Sequence, residues 1–113
     1  DLLVEVAENE YEQATGLMFR EDITESLGMI FVYNEEDMRY FWMKNTPTSL
    51  DMIFINAEME IVHIEKYTEP MSQELYPSKY PAQYIVETVA GYCDQYDIRV
   101  GYKIRWIPPE DSG

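Results

Sequence analysis

Apolar and polar positions along the chain change period several times, and each change marks an element. Leu2 to Ala7 is an apolar-rich run of strand type. Asn9 followed three residues later by Glu12 forms a capping-box-like start to a short helix, on which Tyr11, Ala14 and Met18 share a face. Gly16 costs such a helix about 1 kcal/mol relative to alanine, so its role is expected to be geometric, through close packing or the exit toward Arg20. Ser26-Leu27-Gly28 turns into a strand over Met29 to Tyr33, and the polar run Asn34-Glu35-Glu36-Asp37 turns the chain again. Arg39 to Met43 is then expected to return as the hairpin partner, with Tyr40 and Trp42 on one face and Arg39, Phe41 and Met43 on the other.

Pro47 excludes a central-strand continuation of that segment. Met52 to Ile55 is apolar on both faces, as a strand in the middle of a core should be, and Glu60 to Lys66 alternates well enough to pair with it in a second hairpin. Tyr67 to Pro81 has no period and holds Pro70, Pro77 and Pro81 together with Tyr67, Tyr76 and Tyr80. A loop of that length is expected to serve as a lid or a recognition loop. Gln83 to Val89 predicts another strand ended by Gly91, Tyr92 to Asp97 one helical turn, and Lys103 to Ile107 a closing strand before Pro108-Pro109. The pattern predicts one globular α+β domain over 1–109, predominantly β with one or two short helices, and a frayed tail over 110–113. No internal repeat or low-complexity stretch interrupts it.

A chain of 113 residues is long enough to bury one core, and a hydrophobic share of 46% sets it apart from disordered sequences. No apolar run approaches the roughly 20 residues needed to span a bilayer, so no membrane insertion is expected. Eight basic residues against 22 acidic ones give a formal charge of −14, which repels a phosphate backbone and argues against nucleic acid and anionic membranes as partners. The acidity serves solubility, or adaptation to high salt. Its distribution is uneven: residues 38–57 hold Arg39, Lys44 and Asp51, a formal +1, so this segment is a near-neutral island in an acidic chain. Cys93, the single cysteine, cannot form an internal disulfide, and the lone His63 falls on a different predicted strand, which leaves a catalytic thiol without a base. The seven methionines are scattered singly along core elements, as gap-fillers rather than copper ligands, and no cofactor or metal is expected.

Gly16-Leu17-Met18-Phe19-Arg20, Gly28-Met29-Ile30-Phe31, Phe41-Trp42-Met43-Lys44-Asn45-Thr46 closing on Leu50-Asp51, and Tyr84-Ile85-Val86-Glu87 leading to Ala90-Gly91 follow one another in a specific order. In that order and spacing the chain resembles, over nearly its whole length, the family catalogued as domain of unknown function 192. Two departures stand out: Tyr102 occupies a place where such sequences commonly have aspartate, and Asn56-Ala57-Glu58-Met59 replaces the expected Asp/Gly hairpin turn. The resemblance implies a compact, barrel-like mixed or antiparallel sheet. It also implies an exported setting, periplasmic, envelope-associated or secreted. The start at Asp1 rather than methionine is compatible with a removed signal peptide or lipoprotein leader, or with a simple boundary.

Lys44, Asn45, Thr46 and Asp51 bring an ammonium, an amide, a hydroxyl and a carboxylate within eight residues across a Pro-containing turn, a set able to surround one small polar ligand. The same residues could instead satisfy the turn itself, with Lys44 paired to Asp51. Glu87 matches a glutamate of the family pattern and is expected to face inward with a partner such as Lys44 or Arg20, or else to lie on an exposed edge face. Arg20 could fork onto a ligand carboxylate or phosphate, or tie the helix exit to Glu21, Asp22 or Glu87. Trp42 and the Tyr-rich loop could wall a sugar-binding surface, or simply pack. These residues favour a non-enzymatic module binding a small polar or saccharide-like ligand through Trp42, Lys44, Asn45, Thr46, Asp51, Glu87 and Arg20, in a cleft facing the Tyr67 to Pro81 loop. A carboxylate-based hydrolase using Asp51 and Glu87, and a protein-contact module built on the near-neutral island, are the alternatives.

Overall fold

The computed structural model describes residues 2–109, so the tail expected to fray over 110–113 lies outside the described residues. Three strands and a helix open the chain: β1 (Leu3–Ala7), α1 (Glu10–Thr15), β2 (Leu27–Asp37) and the short β3 (Tyr40–Phe41). They are followed by β4 (Leu50–Ile55), β5 (Ile61–Glu65), β6 (Tyr76–Pro77), β7 (Ala82–Val89) and α2 (Tyr92–Gln95). The main sheet has the order β1-β2-β7-β4-β5, with β1 and β2 parallel and the other neighbours antiparallel. This is the α+β, strand-rich mixed sheet with two short helices that the sequence predicts. It remains an open sheet rather than a barrel, because β1 and β5 do not pair with each other.

Helix α1 starts where the capping box puts it: the Asn9 side chain accepts the Glu12 N–H at 2.8 Å, and the Glu12 carboxylate reaches back to the Glu8 N–H at 3.1 Å. It is the crossover that lets β1 lie parallel to β2. Gly28 opens the β2–β7 contact, since a Cβ there would sit 2.5 Å from the Glu87 carbonyl oxygen.

Alternation along the strands builds two cores. One face gathers Met29, Phe31, Leu50, Met52, Phe54 and Ile85 under Leu17 and Met43; the other gathers Ile30, Ile53, Ile55, Val86 and Cys93 against Ile98, Ile104 and Trp106. Both faces are covered, so every residue of β4 is buried and its sequence shows no polar alternation. Each large side chain so buried contributes roughly 1.5–3 kcal/mol.

Three expected elements differ. β2 runs on through Asn34 to Asp37 after a register shift, so this polar run is a solvent-exposed strand end and not a turn. The expected hairpin with Arg39 to Met43 therefore does not form; only Tyr40 and Phe41 are extended, and they pair with Pro77 and Tyr76 in a separate two-stranded sheet. Lys103 to Ile107 contributes a single bridge, Lys103 to Glu60, instead of a strand. Its backbone nevertheless covers the start of β5, with the Ile104 N–H donating to the Met59 carbonyl at 2.7 Å.

Candidate functional site

The register of the central strand β7 decides where its one acidic residue points. Glu87 lies opposite Met29 of β2 and Met52 of β4, so its side chain projects to the same face as those core methionines, toward the exit of α1. Above it the chain turns at Gly16, with φ 49° and ψ −128°, a conformation open to glycine but strained for other residues. A Cβ at Gly16 would stand 3.3 Å from the Phe31 ring and 3.9 Å from Glu87 Oε1. A cavity of about 210 Å³ lies over Glu87, lined by Gln13 to Met18, by Phe31 and Tyr33 of β2, and by Tyr40, Phe41, Trp42, Lys44 and Thr46.

Glu87 is 4% exposed, and no donor among the described residues reaches its carboxylate. Burial alone acts on it and pushes its pKa up from an ordinary 4.5 to about 8. At neutral pH it is therefore mostly a neutral acid, able to donate one hydrogen bond and accept others. Tyr33 shares the cavity; burial raises its pKa, and the Arg39 guanidinium, 3.8 Å from the centre of its ring, acts in the opposite direction.

The segment from Trp42 to Thr46 forms the opposite wall. Lys44 Nζ stands 5.1 Å from the centre of the Trp42 ring, within cation–π range, and makes no ion pair among the described residues. The Thr46 hydroxyl donates to the Lys44 carbonyl at 3.1 Å, which is the turn-satisfying role the residue type allows. Asn45 adopts the left-handed region with φ 55°, and its carbonyl accepts the Phe19 N–H at 2.6 Å, joining this turn to the family motif after α1.

The Tyr67 to Pro81 loop lies behind this wall and does not line the cavity. The Met43 N–H donates to the Ser72 carbonyl at 3.0 Å, the Met71 N–H to the Thr46 carbonyl at 2.9 Å, and the buried Thr68 hydroxyl lies 3.1 Å from Met43 Sδ. The loop is thus a buttress for the Trp42 to Thr46 turn, and the cleft opens toward the α1 exit instead of the loop.

Asp51 takes a different place from the one the sequence suggests. It lies opposite Thr88, one residue out of phase with Glu87, and so projects through the other face of the sheet. Fully buried, it accepts the Tyr67 N–H with Oδ1 and the Cys93 N–H with Oδ2, both at 3.0 Å. That fastens the buttress loop and the start of α2 to β4, and it removes Asp51 from the Lys44 cluster both as an ion-pair partner and as a ligand acceptor. Burial, with Asp51 adding to it, pushes the neighbouring Cys93 thiol up to about 12, so the cysteine is an inert core group. Arg20 is also spent internally: its guanidinium forks onto Glu5 at 2.8 and 3.1 Å and onto Asp22 at 2.7 and 3.0 Å, and it makes no contact with Glu87. These bonds hold the Asp22 and Glu5 carboxyls below their ordinary range.

Of the residues expected to form a site, the structure thus brings Trp42, Lys44, Thr46 and Glu87 around one cavity and leaves Asn45, Asp51 and Arg20 in structural roles. The sequence reading missed Tyr33, Tyr40 and Gln13. Tyr33 had a signal, because it follows Met29 and Phe31 at a spacing of two and so shares their face. Gln13 had none, since its amide is oriented by a distant partner, the Val32 carbonyl at 2.7 Å. Among the described residues no group of three His, Cys, Asp or Glu side chains converges to hold a metal ion, and no helix is long and apolar enough to cross a membrane.

The same architecture occurs elsewhere. A solved structure from Sinorhizobium meliloti 1021, described as a candidate transcription regulator, is 33% identical with a TM-score of 0.89, covering 91% of this chain and 80% of that one. A protein of unknown function from Novosphingobium aromaticivorans is 35% identical with a TM-score of 0.88, covering 91% of this chain and 74% of that one. A UPF0127 protein of Pyrococcus furiosus is 30% identical over 108 residues, spanning 91% of this chain and 85% of its own length. The DUF192 family, described as uncharacterized ACR, COG1430, matches residues 1–106. With its motifs, fold and relatives in agreement, the chain belongs to the DUF192 (UPF0127) family.

Proposed function

We propose that this protein is a non-enzymatic binding module whose cavity between the α1 exit and the Trp42 to Thr46 turn takes a small polar or saccharide-like ligand. The observation that carries this reading is Glu87: a buried carboxyl with no hydrogen-bond partner among the described residues, aimed into a cavity with aromatic walls and an ammonium, that of Lys44, which makes no ion pair among them. Desolvation disfavours the ionised form of such a group, a cost that a hydrogen-bonding or cationic ligand would reduce. The volume of about 210 Å³ exceeds the ~150 Å³ that accommodates a benzene ring, so one substituted six-membered ring fits. Trp42 and Tyr40 would supply the stacking surface, Lys44 a charged anchor and Glu87 the deep hydrogen-bonding partner.

The hydrolase reading needs two carboxylates flanking one bond, about 5–10 Å apart on the same side. Among the described residues the cavity has one, and Asp51 is bound to backbone on the far face of the sheet. That favours binding over glycosidic chemistry.

The test is a thermal-shift screen against sugars, carboxylates, amines and nucleotides. A ligand at 100 times its dissociation constant stabilises by about 2.7 kcal/mol, a shift of several degrees in a domain near this size. Lys44→Ala should abolish the shift while leaving the melting temperature of the free protein within a degree or two. A large loss of stability in that variant, or silence across the screen, would count against the reading.

A further inference from the structure

We propose that the ligand of this cavity is a small zwitterion, its protonated amine seated on the Glu87 carboxylate and its anionic group turned toward Lys44. The inference rests on the binding reading above and names its ligand class. Four observations lead to it.

The cavity floor is a single carboxylate, 4% exposed, with neither an ion pair nor a hydrogen bond from the described residues. A neutral polyol would supply hydrogen bonds but no charge; an ammonium supplies both, with up to three donors. Aromatic side chains make up much of the wall, and ring faces attract cations. Two of these rings already do so within the protein, Trp42 with Lys44 at 5.1 Å and Tyr33 with Arg39 at 3.8 Å.

A simple cation would also meet Lys44, the one cation lining the cavity among the described residues. Among the described residues Lys44 makes no ion pair with Glu87 and is absent from the influences on its ionisation, so the ammonium and the acid, which ionises as a cation is seated on it, are separate groups of one cavity. A molecule carrying both charges bridges them and leaves neither unanswered. The other titratable groups that face Glu87 are Tyr33 and Tyr40, with Arg39 stacked on Tyr33; Gln13 and Thr46 are uncharged.

Seating an ammonium requires Glu87 to ionise, so binding below pH 8 releases a proton. With a carboxyl that titrates near 8 in the free protein, close to one proton leaves per ligand at pH 7. The apparent affinity then rises about fivefold from pH 7 to pH 8, following the ionised fraction.

Isothermal titration calorimetry in two buffers of different ionisation heat tests this. The probes are glycine, β-alanine and 4-aminobutyrate, their hydroxy-acid counterparts, and glucose. The expected result is that at least one amino acid binds with proton release, its hydroxy counterpart binds at least tenfold more weakly, and Glu87→Gln loses the amino acid. Hydroxy acids or glucose binding as tightly as the amino acids without proton release would overturn the zwitterion inference and leave the broader binding reading standing. Undiminished amino-acid binding by Glu87→Gln would overturn it too. No heat from any probe would sink both.

Discussion

Asp51 and Glu87 sit on adjacent strands of one sheet, both buried, yet they face opposite ways and are treated in opposite fashion. Asp51 has a backbone N–H on each oxygen and joins β4, the Tyr67 loop and α2. Glu87 has no such donor among the described residues and opens into a cavity. Burial of a carboxyl is thus no guide to its role; its unspent hydrogen-bonding capacity is. On this basis Asp51 is structural, and Glu87 is the residue on which the proposed binding role rests.

Substitutions at the two positions should therefore move stability in opposite directions. Asp51→Ala leaves the Tyr67 and Cys93 N–H groups buried without acceptors and should cost about 4 kcal/mol in urea denaturation; a loss under about 1 kcal/mol would remove the contrast. Glu87→Gln should stabilise, by about 3 kcal/mol at pH 7, because the neutral amide neither buries a charge nor has to take up a proton on folding. The sign follows from linkage. Between an unfolded pKa near 4.5 and a folded one near 8, the native state holds a proton that the unfolded chain has lost, so wild-type stability falls as pH rises through that window. The variant should lack this fall, and the two curves should converge at the acidic end. Gly16→Ala forces a side chain into a strained conformation against Phe31 and over Glu87; it should cost about 2 kcal/mol and narrow the cavity, visible as a lost thermal shift with any ligand found. Arg20→Ala should cost under about 1 kcal/mol and less still in 1 M salt, since its partners Glu5 and Asp22 are exposed to solvent.

The contrast between the two carboxyls also marks how far the sequence could be read. β4 was legible because Met52 to Ile55 is apolar on both faces, and α1 because its cap is local, made by Asn9 and Glu12. The strand end at Asn34 to Asp37 was not, because a strand projecting into solvent and a turn share the same polar composition. Glu87 was expected to face inward and does, but the partners offered for it, Lys44 and Arg20, do not reach it. Arg20 pairs instead with Glu5 across the β1 edge and with Asp22, and only the Asp22 contact is local in sequence. Asp51 was placed beside Lys44 by proximity in sequence, whereas strand alternation and two backbone N–H groups from distant segments carry it to the other face. What escapes sequence reading here is mostly contact between side chains and backbone at long separation, which leaves no periodic trace.

The most direct measurement is the pH titration of the Glu87 carboxyl carbon by NMR in the ligand-free protein, assigned through Glu87→Gln. A midpoint near 8 is the result expected of a buried acid with no partner. A midpoint near 4.5 would mean that the carboxylate is already paired or well hydrated, and would contradict the role assigned to it.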